Sequence, residues 1–402
     1  MAERAFLPYG RQTIEDDDIA AVAAALRSDY LTTGPRVEAF EAAFAQAVGA
    51  RHAVACNSGT AALHLAMMAL DVQPGEGVIA PAITFAATAN AARYQGAEVI
   101  FADVDPDSGL MTPQTLAQAL TRLDGRRLRA ILPVHLTGAA VDLPAIRTLA
   151  DDHGAVVIED ACHALGTTMA FDNIPERAGD CRHSAMACFS FHPVKTIATG
   201  EGGMVTTNDP VLAARLALFR SHGITRDPAA FTAPDISLDA DGAANPWAYE
   251  MQALGYNYRI PDVLCALGLS QLAKLDRFAA RRRALTARYH TLLAPLAPTI
   301  RPAVVPATSD PALHLFVALI DFDAVGQTRA AVMRALAARG IGTQVHYIPV
   351  PRQPYYVARY GEPDLPGADA WYARALSLPL FPGMADDDPD RVVEALREVL
   401  GL

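Results

Sequence analysis

The chain has 402 residues, of which 51% are hydrophobic and 19% are charged, and its formal net charge is −11. This balance is typical of a globular protein with enough material for two domains, and it excludes a disordered chain. The acidic charge argues against nucleic-acid binding, because the densest basic stretch, Arg281–Arg283, falls in a predicted helix and is interpreted as a solvated face.

The cysteines are predicted to be free thiols in a reducing compartment. They are Cys56, Cys162, Cys181, Cys188 and Cys265. Their number is odd and no CxxC pair occurs, so neither a disulfide framework nor a metal site is predicted. The N-terminal segment MAERAFLPYGRQ lacks the apolar stretch of a signal peptide, and no apolar run approaches the ~18 residues of a membrane span. We therefore expect a cytoplasmic protein without membrane contact.

From about Asp16 to Asn208, short apolar runs alternate with helical patterns. The predicted strands are His52–Cys56, Val78–Ala80, Glu98–Ala102, Arg129–Val134, Ala155–Glu159, Ala185–Ser190 and Gly203–Thr207. The predicted helices between them include Thr60–Leu70, Ala86–Tyr94, Pro113–Leu120 and Leu143–His153. Continuous apolar strands separated by helices indicate a mainly parallel sheet that is covered on both faces. Such sheets bind ligands at the carboxyl ends of their strands.

The second half of the chain begins with an irregular stretch, residues 225–250, whose length indicates a functional flap or partial disorder. One long helix is then predicted over Pro261–Leu293. The domain boundary is placed at its start, which gives domains of residues 1–260 and 261–402. The second domain is predicted to be a small α/β unit. Its elements are a strand at Leu315–Ile320, a helix at Gln327–Arg339, a short strand at Gln344–His346 and a closing helix at Asp387–Leu400.

Ser58, Gly59 and Thr60 follow the first predicted strand and open a helix. Backbone N–H groups at a helix N-terminus, beside small hydroxyl residues and a glycine, bind phosphate. An ordinary helix cap explains the same residues nearly as well. No GKS/T follows, which excludes a Walker loop, and no GxGxxG follows the strand, which weakens a dinucleotide-dependent oxidoreductase.

Asp160 stands at the end of the apolar run Val156–Ile158, at the edge where ligands bind. An aspartate in this position is often a helix N-cap. It can also hold the protonated nitrogen of a bound cofactor ring. His163, three residues later, could bond Asp160 or the cofactor, or simply pack.

Lys195 lies between an apolar strand and the glycine-rich segment Gly200–Gly203. A lysine in a loop is usually a solvated surface residue. A lysine that forms a Schiff base must instead be held rigidly, be partly desolvated and be approached closely by backbone. The flanking strands and glycines supply that setting. The phosphate cradle (Ser58–Thr60), Asp160 and Lys195 all follow strands of one predicted sheet.

The motifs around these three sites resemble those of the DegT/DnrJ/EryC1/StrS family of sugar-nucleotide aminotransferases along nearly the whole chain. The motifs are LPYGRQTI, LTTGP, NSGTAAL, PAITFAATAN, EDACHALG, FSFHPVKTIATGEGG, FRSHGI and LGYNYRIPD. The resemblance implies pyridoxal 5'-phosphate (PLP) as the cofactor. It also implies the aspartate-aminotransferase-like fold (fold type I), an α/β fold with a large three-layer αβα domain, a mostly parallel sheet and a small C-terminal α/β domain.

The resemblance also assigns roles to matching positions. Lys195 would hold the cofactor and Asp160 would meet its pyridine nitrogen, and these are the expected catalytic residues. His163 would lie near the ring hydroxyl and Phe85 would stack on the ring. The phosphate would be held by Ser58, Gly59, Thr60 and Ser190, and by Asn257 of a second subunit, which implies a homodimer with shared sites. The residues expected to bind the sugar nucleotide are Tyr9, Thr32, Gln344, Val345, His346 and Tyr347.

Within the family, SFHPVKTIATGEGG and GIGTQVHYIPV most resemble enzymes of pseudaminic acid biosynthesis. Those enzymes aminate C4 of a UDP-linked 4-keto-6-deoxy-N-acetylhexosamine. The implied reaction is a ping-pong transamination with L-glutamate as the donor. Lysine at position 195 argues against the family's dehydratase branch, which has histidine there. Two alternatives stay open: another GDP- or dTDP-linked keto-deoxy sugar as substrate, or a catalytically silent PLP-binding regulatory protein.

Overall fold

A computed structural model describes residues 5–402 of the chain. Residues 1–4, the beginning of the segment used above to predict a cytoplasmic location, lie outside the described residues. The helices are α1 Asp16–Leu26, α2 Pro35–Val48, α3 Gly59–Ala69, α4 Ala86–Tyr94, α5 Pro113–Leu120, α6 Leu143–Asp152, α7 Pro210–Arg220, α8 Pro234–Ser237, α9 Asp262–Leu272, α10 Leu275–Leu293, α11 Arg329–Ala338, α12 Pro354–Tyr360, α13 Pro366–Arg374 and α14 Asp388–Leu400.

Most strands of the structure are short. They are β1 His52–Cys56, β2 Gly77–Pro81, β3 Glu98–Ala102, β4 Leu128–Ile131, β5 Val156–Asp160, β6 Thr168–Phe171, β7 Ile174–Arg177, β8 Met186–Ser190, β9 Gly203–Thr207, β10 Ile224–Thr225, β11 Glu250–Met251, β12 Ile300–Pro302, β13 Ser309–Asp310, β14 Phe316–Ile320 and β15 Ala375–Leu378. Short 3₁₀ helices occupy Leu136–Gly138, Pro228–Ala230, Ala294–Leu296 and Val350–Arg352.

A seven-stranded sheet forms the centre of the large domain, in the order β1-β9-β8-β5-β4-β2-β3. The pairings from β8 to β3 are parallel, whereas β9 pairs antiparallel with both β1 and β8. Every residue of β2 and of β9 is buried, so helices and loops cover both faces of the sheet. The prediction of a mostly parallel, covered sheet is confirmed.

A smaller antiparallel sheet, β12-β14-β15, forms the C-terminal part together with α10, α11 and α14. Its strand β14 is buried throughout and contributes to a second hydrophobic core with Leu285 and Tyr289 of α10. Helix α9 packs instead on α1 and α2, beside the hydrophobic core of the large domain. The domain boundary between residues 260 and 261 stays a prediction.

The prediction of one continuous helix over Pro261–Leu293 is wrong. The structure has two helices, α9 and α10, because each packs against a different core. They separate at Ala273 and Lys274, and the Lys274 ammonium lies 2.7 Å from Asp17 and 2.6 Å from Asp18 at the start of α1. Neither Pro nor Gly occurs at Ala273–Lys274, so the helical pattern of the sequence continues across the break and does not predict it.

Two further predictions in the C-terminal half are also wrong. The predicted strand at Gln344–His346 has one bridge, from Gln344 to Ser377 of β15, and does not form a strand. The prediction that Arg281–Arg283 form a solvated face is wrong for Arg282, which is fully buried. Its guanidinium donates to the carbonyl oxygens of Leu313, His314 and Leu380. Helix α10 thus carries a buried arginine whose hydrogen-bond partners are backbone carbonyl oxygens.

The irregular stretch at residues 225–250 is a folded loop that β10 and β11 close at its base. Glu250 lies buried at this closure. Its carboxylate accepts hydrogen bonds from the backbone N–H groups of Thr232 and Ala233 and from the Ser237 hydroxyl, at 2.7–2.9 Å. Burial raises the pKa of Glu250, but these hydrogen bonds outweigh it and lower the pKa to about 2. One buried carboxylate therefore organises the loop.

Candidate active site

The predicted site residues converge at one edge of the central sheet. Strands β1, β5 and β8 end there and lead into Ser58, Asp160 and Lys195, while the reversed strand β9 begins there at Gly203. The carboxyl ends of parallel strands share one edge of a sheet, and loops at that edge bind ligands. The sequence prediction that the cradle, the acid and the lysine belong to one site therefore agrees with their placement.

The predicted phosphate cradle, Ser58–Thr60 with Ser190 and Gly203, is a tight junction of three chain segments. Ser58 caps α3, and its Oγ accepts a hydrogen bond from Ala61 N at 3.1 Å. A Cβ atom at Gly59 would lie 2.7 Å from the Cβ of Ser190, and one at Gly203 would lie 2.3 Å from the Ser58 carbonyl oxygen. The helix itself leaves the N–H groups of its first turn unpaired, so this end of α3 can receive an anion.

Replacing Gly203 with alanine is expected to weaken PLP binding by at least about tenfold and to destabilise the fold by roughly 1–3 kcal/mol. The new methyl group would displace the Ser58 carbonyl and open the cradle. Absorbance titration with PLP and thermal denaturation measure the two effects. Gly383→Ala is the matched control, because its Cβ would have no neighbour closer than 3.6 Å. Unchanged PLP affinity in Gly203→Ala would show that the close approach is dispensable.

Asp160 is buried, and both of its carboxylate oxygens are held in place. The Thr88 hydroxyl donates to Oδ2 at 2.7 Å, and Cys162 N donates to Oδ1 at 3.2 Å. Thr84 lies 2.7 Å from Thr88, oxygen to oxygen, and extends the chain of hydroxyl groups. No helix begins after Asp160, so the alternative interpretation of Asp160 as a helix N-cap is wrong, and the bond from Cys162 N belongs to a turn. The carboxylate is thereby fixed at the end of β5, beside the loop that carries Lys195.

The chain contains two lysines, Lys195 and Lys274. Lys274 is committed to its ion pairs with Asp17 and Asp18. Within residues 5–402, the Lys195 ammonium has no hydrogen bond or ion pair. Burial lowers the pKa of Lys195, while Cys162 and Asp160 nearby act in the opposite direction. Lys195 is therefore the lysine whose amine is available for chemistry. A count of lysines would have strengthened this prediction from sequence alone.

An aromatic wall lies beside Asp160 and Lys195. The Tyr347 hydroxyl is 3.2 Å from His163 Nε2, and the two rings stack. Phe85, which is 60% exposed, has its ring centroid 6.1 Å from that of Tyr347. His163 Nδ1 is buried and has no hydrogen-bond partner in the described part of the chain. Burial lowers the pKa of His163 well below its usual value and so favours the neutral imidazole.

His314 belongs to the same wall, although the sequence patterns did not single it out. Its ring centroid lies 4.6 Å from that of His163, and it is buried just before β14. The backbone brings it there, because His314 N donates to the Thr137 carbonyl at 2.7 Å in the turn after β4. No local sequence motif around His314 predicts its contact with His163.

The predicted substrate-binding residues fall into two groups. Tyr9 contacts His346, with ring centroids 5.4 Å apart, and His346 adjoins Tyr347. Gln344 and Val345 precede them on the same segment, with Gln344 exposed. Thr32 lies exposed between α1 and α2, and among residues 5–402 no hydrogen bond joins its side chain to the others. The structure thus brings Tyr9 and residues 344–347 together beside His163, whereas no hydrogen bond among the described residues links Thr32 to them.

Asn257 lies exposed on a segment that runs alongside the cradle. Asn57 N donates to the Tyr258 carbonyl at 2.8 Å, and the Tyr258 hydroxyl lies 3.1 Å from His64 Nδ1 on α3. Tyr256 stacks on Tyr258 with ring centroids 5.0 Å apart. The segment is therefore anchored on the cradle helix of its own chain, a proximity that sequence reasoning did not require.

The model of the DegT/DnrJ/EryC1/StrS aminotransferase family matches residues 12–397. The chain belongs to this family. It is also 40% identical over 398 residues to the spore coat polysaccharide biosynthesis protein SpsC of Bacillus subtilis (strain 168), covering 98% of this chain and 97% of SpsC.

Solved structures agree with this assignment. Helicobacter pylori PseC, an aminotransferase involved in the biosynthesis of pseudoaminic acid, aligns with a TM-score of 0.86 at 27% identity, covering 98% of this chain and 99% of PseC. A Streptococcus pneumoniae protein described as a sugar aminotransferase, Spr1654, aligns in its PLP form with a TM-score of 0.85 at 26% identity, covering 98% and 99%. The same protein is also solved in its PMP form. The predicted fold type I architecture is confirmed.

The enzyme is a PLP-dependent sugar aminotransferase. Its own residues fit that cofactor. In the part of the chain that the structure describes, the Lys195 amine and the buried Nδ1 of His163 have no partner, and the cradle leaves no room for a Cβ at Gly59 or Gly203. Across residues 5–402, no helix has the length and apolarity needed to cross a membrane. The role of each individual site residue stays a prediction.

Proposed function

We propose that the enzyme transfers the amino group of L-glutamate to C4 of a UDP-linked 4-keto-6-deoxy-N-acetylhexosamine, in the cytoplasm. The main support is the likeness to PseC over 98% of this chain, together with the similarity of residues 340–350 to the pseudaminic-acid branch. In the structure this segment carries His346 and Tyr347 to His163 and Tyr9. Five free cysteines are consistent with a reducing compartment.

A substrate panel tests this proposal. Purified enzyme is supplied with glutamate and with UDP-, GDP- and dTDP-linked 4-keto-6-deoxy sugars, and 2-oxoglutarate is measured. We expect the UDP-linked N-acetylhexosamine to give the highest kcat/KM. Preference for a GDP- or dTDP-linked sugar would replace the substrate assignment. An absorbance spectrum that glutamate leaves unchanged would instead favour a silent PLP-binding protein.

The residues of the site can perform such a transfer. PLP, when bound, supplies an electron sink for the pair released when the donor loses its α-proton. The Lys195 amine would take that proton and later deliver one to the sugar carbon that receives nitrogen. Burial favours the neutral amine, which is the form able to accept a proton. Asp160 would hold the ring nitrogen, while the neutral His163 and Phe85 would position the ring.

We further propose a homodimer in which Asn257 serves the partner's cofactor phosphate. Large apolar side chains are exposed on and after the 225–250 loop, including Trp247 at 71% and Leu254 at 76%. Exposed apolar surface of this extent marks an association surface. Asn257 lies just beyond it, exposed and with no side-chain partner in the described chain. A second copy is therefore the occupant that this surface suits.

Mixing two impaired variants tests the shared site. Asn257→Ala should weaken PLP retention, and Lys195→Ala should be inactive. In a mixed dimer one site carries both defects, whereas the other is wild type at both positions. Activity is therefore expected to reappear, to about a quarter of wild type, when the variants exchange subunits at random. Mixed dimers that demonstrably form yet show only the average activity of the parents would rule out the shared site.

A further inference from the structure

Arg282 is a fully buried cation on α10, and it has no carboxylate partner within residues 5–402. Its Nη1 makes all of its hydrogen bonds, whereas Nε and Nη2 are buried without a partner in the described part of the chain. Burial lowers the pKa of Arg282 to about 10, so the guanidinium stays charged at neutral pH. Burying a cation without an anion is unfavourable, so a task beyond filling the core is expected of this residue.

Arg282 fixes the chain segment that carries His314 to the active site. The His314 carbonyl accepts a hydrogen bond from Arg282 Nη1 at 3.2 Å, and His314 N donates to the Thr137 carbonyl at 2.7 Å. The His314 imidazole itself makes no hydrogen bond among the described residues. Its ring contact with His163, at 4.6 Å between centroids, therefore depends on these two backbone anchors. His163 and His314 form the cofactor side of the site, since His163 is predicted to meet the cofactor.

The same nitrogen of Arg282 also fixes the segment that carries Tyr9. The Leu380 carbonyl accepts from Arg282 Nη1 at 3.0 Å, and Leu380 N donates to the Tyr9 carbonyl at 3.0 Å. The Tyr9 ring in turn contacts His346, at 5.4 Å between centroids. Tyr9 and His346 form the sugar side of the site, since the sugar nucleotide is predicted to bind there. One guanidinium thus joins the cofactor side to the sugar side through backbone oxygens.

We propose that Arg282 is a positioning residue that sets the spacing between the cofactor side and the sugar side of the active site. This inference deepens the proposed function and rests on it. A displacement of about 1 Å between a bound substrate and the reacting group can lower a rate by about a hundredfold. The amino donor is not predicted to contact Tyr9 or His346. Loss of Arg282 should therefore impair the reaction of the keto sugar much more than that of the donor.

Two variants of Arg282 and two controls test the inference in the PLP-loaded enzyme. Arg282→Met removes the charge and the donors, and Arg282→Lys keeps the charge with fewer donors. Leu285→Ala is the control for stability, because Leu285 is buried on the same helix and has no hydrogen-bonding group. Arg283→Gln is the control for charge, because Arg283 pairs with Asp310 nearer the surface.

Ping-pong kinetics separate the two half-reactions, because kcat/KM for each substrate reports on its own half-reaction. Single-turnover absorbance with glutamate measures the donor half-reaction. Steady-state kinetics give kcat/KM for the keto sugar that the substrate panel identifies. PLP affinity and Tm are measured for every variant, and all assays are run well below the lowest Tm.

We expect Arg282→Met to lower kcat/KM for the keto sugar by at least about tenfold, with the donor half-reaction and PLP affinity within about threefold of wild type. Arg282→Lys should recover part of the loss. Leu285→Ala should lower Tm but leave both half-reactions close to wild type, and Arg283→Gln should change neither.

Four results would overturn the inference. In a folded Arg282→Met variant these are a keto-sugar kcat/KM within about twofold of wild type, equal losses in the two half-reactions, or a keto-sugar loss that Leu285→Ala reproduces. The fourth is failure of both Arg282 variants to fold, because Arg282 would then serve the stability of the fold.

Failure of this inference is distinguishable from failure of the proposed function. A wild-type enzyme that prefers a GDP- or dTDP-linked sugar changes the substrate of the assay and leaves the test of Arg282 intact. A wild-type enzyme that aminates no sugar of the panel contradicts the proposed function before any variant is made, and the inference then fails with it. Normal keto-sugar kinetics in Arg282→Met would overturn the inference alone.

Discussion

Lys195→Ala is expected to abolish transamination, by at least about a thousandfold, and to remove the visible absorbance of the lysine-bound cofactor. The chain has one other lysine, Lys274, and its ion pairs with Asp17 and Asp18 keep it at the junction of α1 and α10. No second lysine can therefore replace Lys195. The fold should survive, because the Lys195 ammonium has no hydrogen bond or ion pair within residues 5–402.

Lys274→Arg is the control for Lys195→Ala, since it keeps the charge that Asp17 and Asp18 require. It should retain activity and cofactor absorbance. Borohydride reduction of the loaded enzyme followed by peptide mass spectrometry gives a second measurement. In wild type we expect modification on the peptide containing Lys195. A pyridoxyl group on Lys274, or appreciable turnover by Lys195→Ala, would refute the assignment.

The central sheet could be predicted closely from sequence because its strands are buried on both faces. Such strands appear as short apolar runs between helical patterns, and β1, β3 and β9 match the predicted bounds residue for residue. Their carboxyl ends then placed Ser58, Asp160 and Lys195 at one edge without further information. The reversal of β9 could not be predicted, since a buried apolar run has no direction.

Other elements escaped prediction for identifiable reasons. The hairpin β6–β7 is largely exposed and so lacks an apolar pattern, although Asp172 and Asn173, both with positive φ, are typical of a two-residue hairpin turn. The contact of His314 with His163 depends on how the small domain packs against the turn after β4. The residues next to His163 and His314 in the sequence do not determine that packing. The contact between the two histidines therefore could not be predicted from the sequence.

Asp160→Asn is expected to lower kcat by several orders of magnitude while leaving PLP bound. Asparagine preserves the shape of the side chain and can keep the contacts with Thr88 and Cys162 N. It cannot carry the negative charge that keeps the pyridine nitrogen of PLP protonated. The electron sink would therefore be lost rather than the binding site, and the effect should appear in both half-reactions.

Thr88→Val provides a graded comparison for Asp160→Asn. It removes one hydrogen bond to the carboxylate, at 2.7 Å, but keeps the charge, so we expect a much smaller loss of rate. Single-turnover absorbance with glutamate measures the chemical step in each variant, and PLP titration reports retention. A loss below about tenfold in Asp160→Asn, ~1.4 kcal/mol, would mean that Asp160 serves only to cap the turn through Cys162 N. A large loss accompanied by release of PLP would instead make Asp160 a binding residue whose charge is not required for the electron sink.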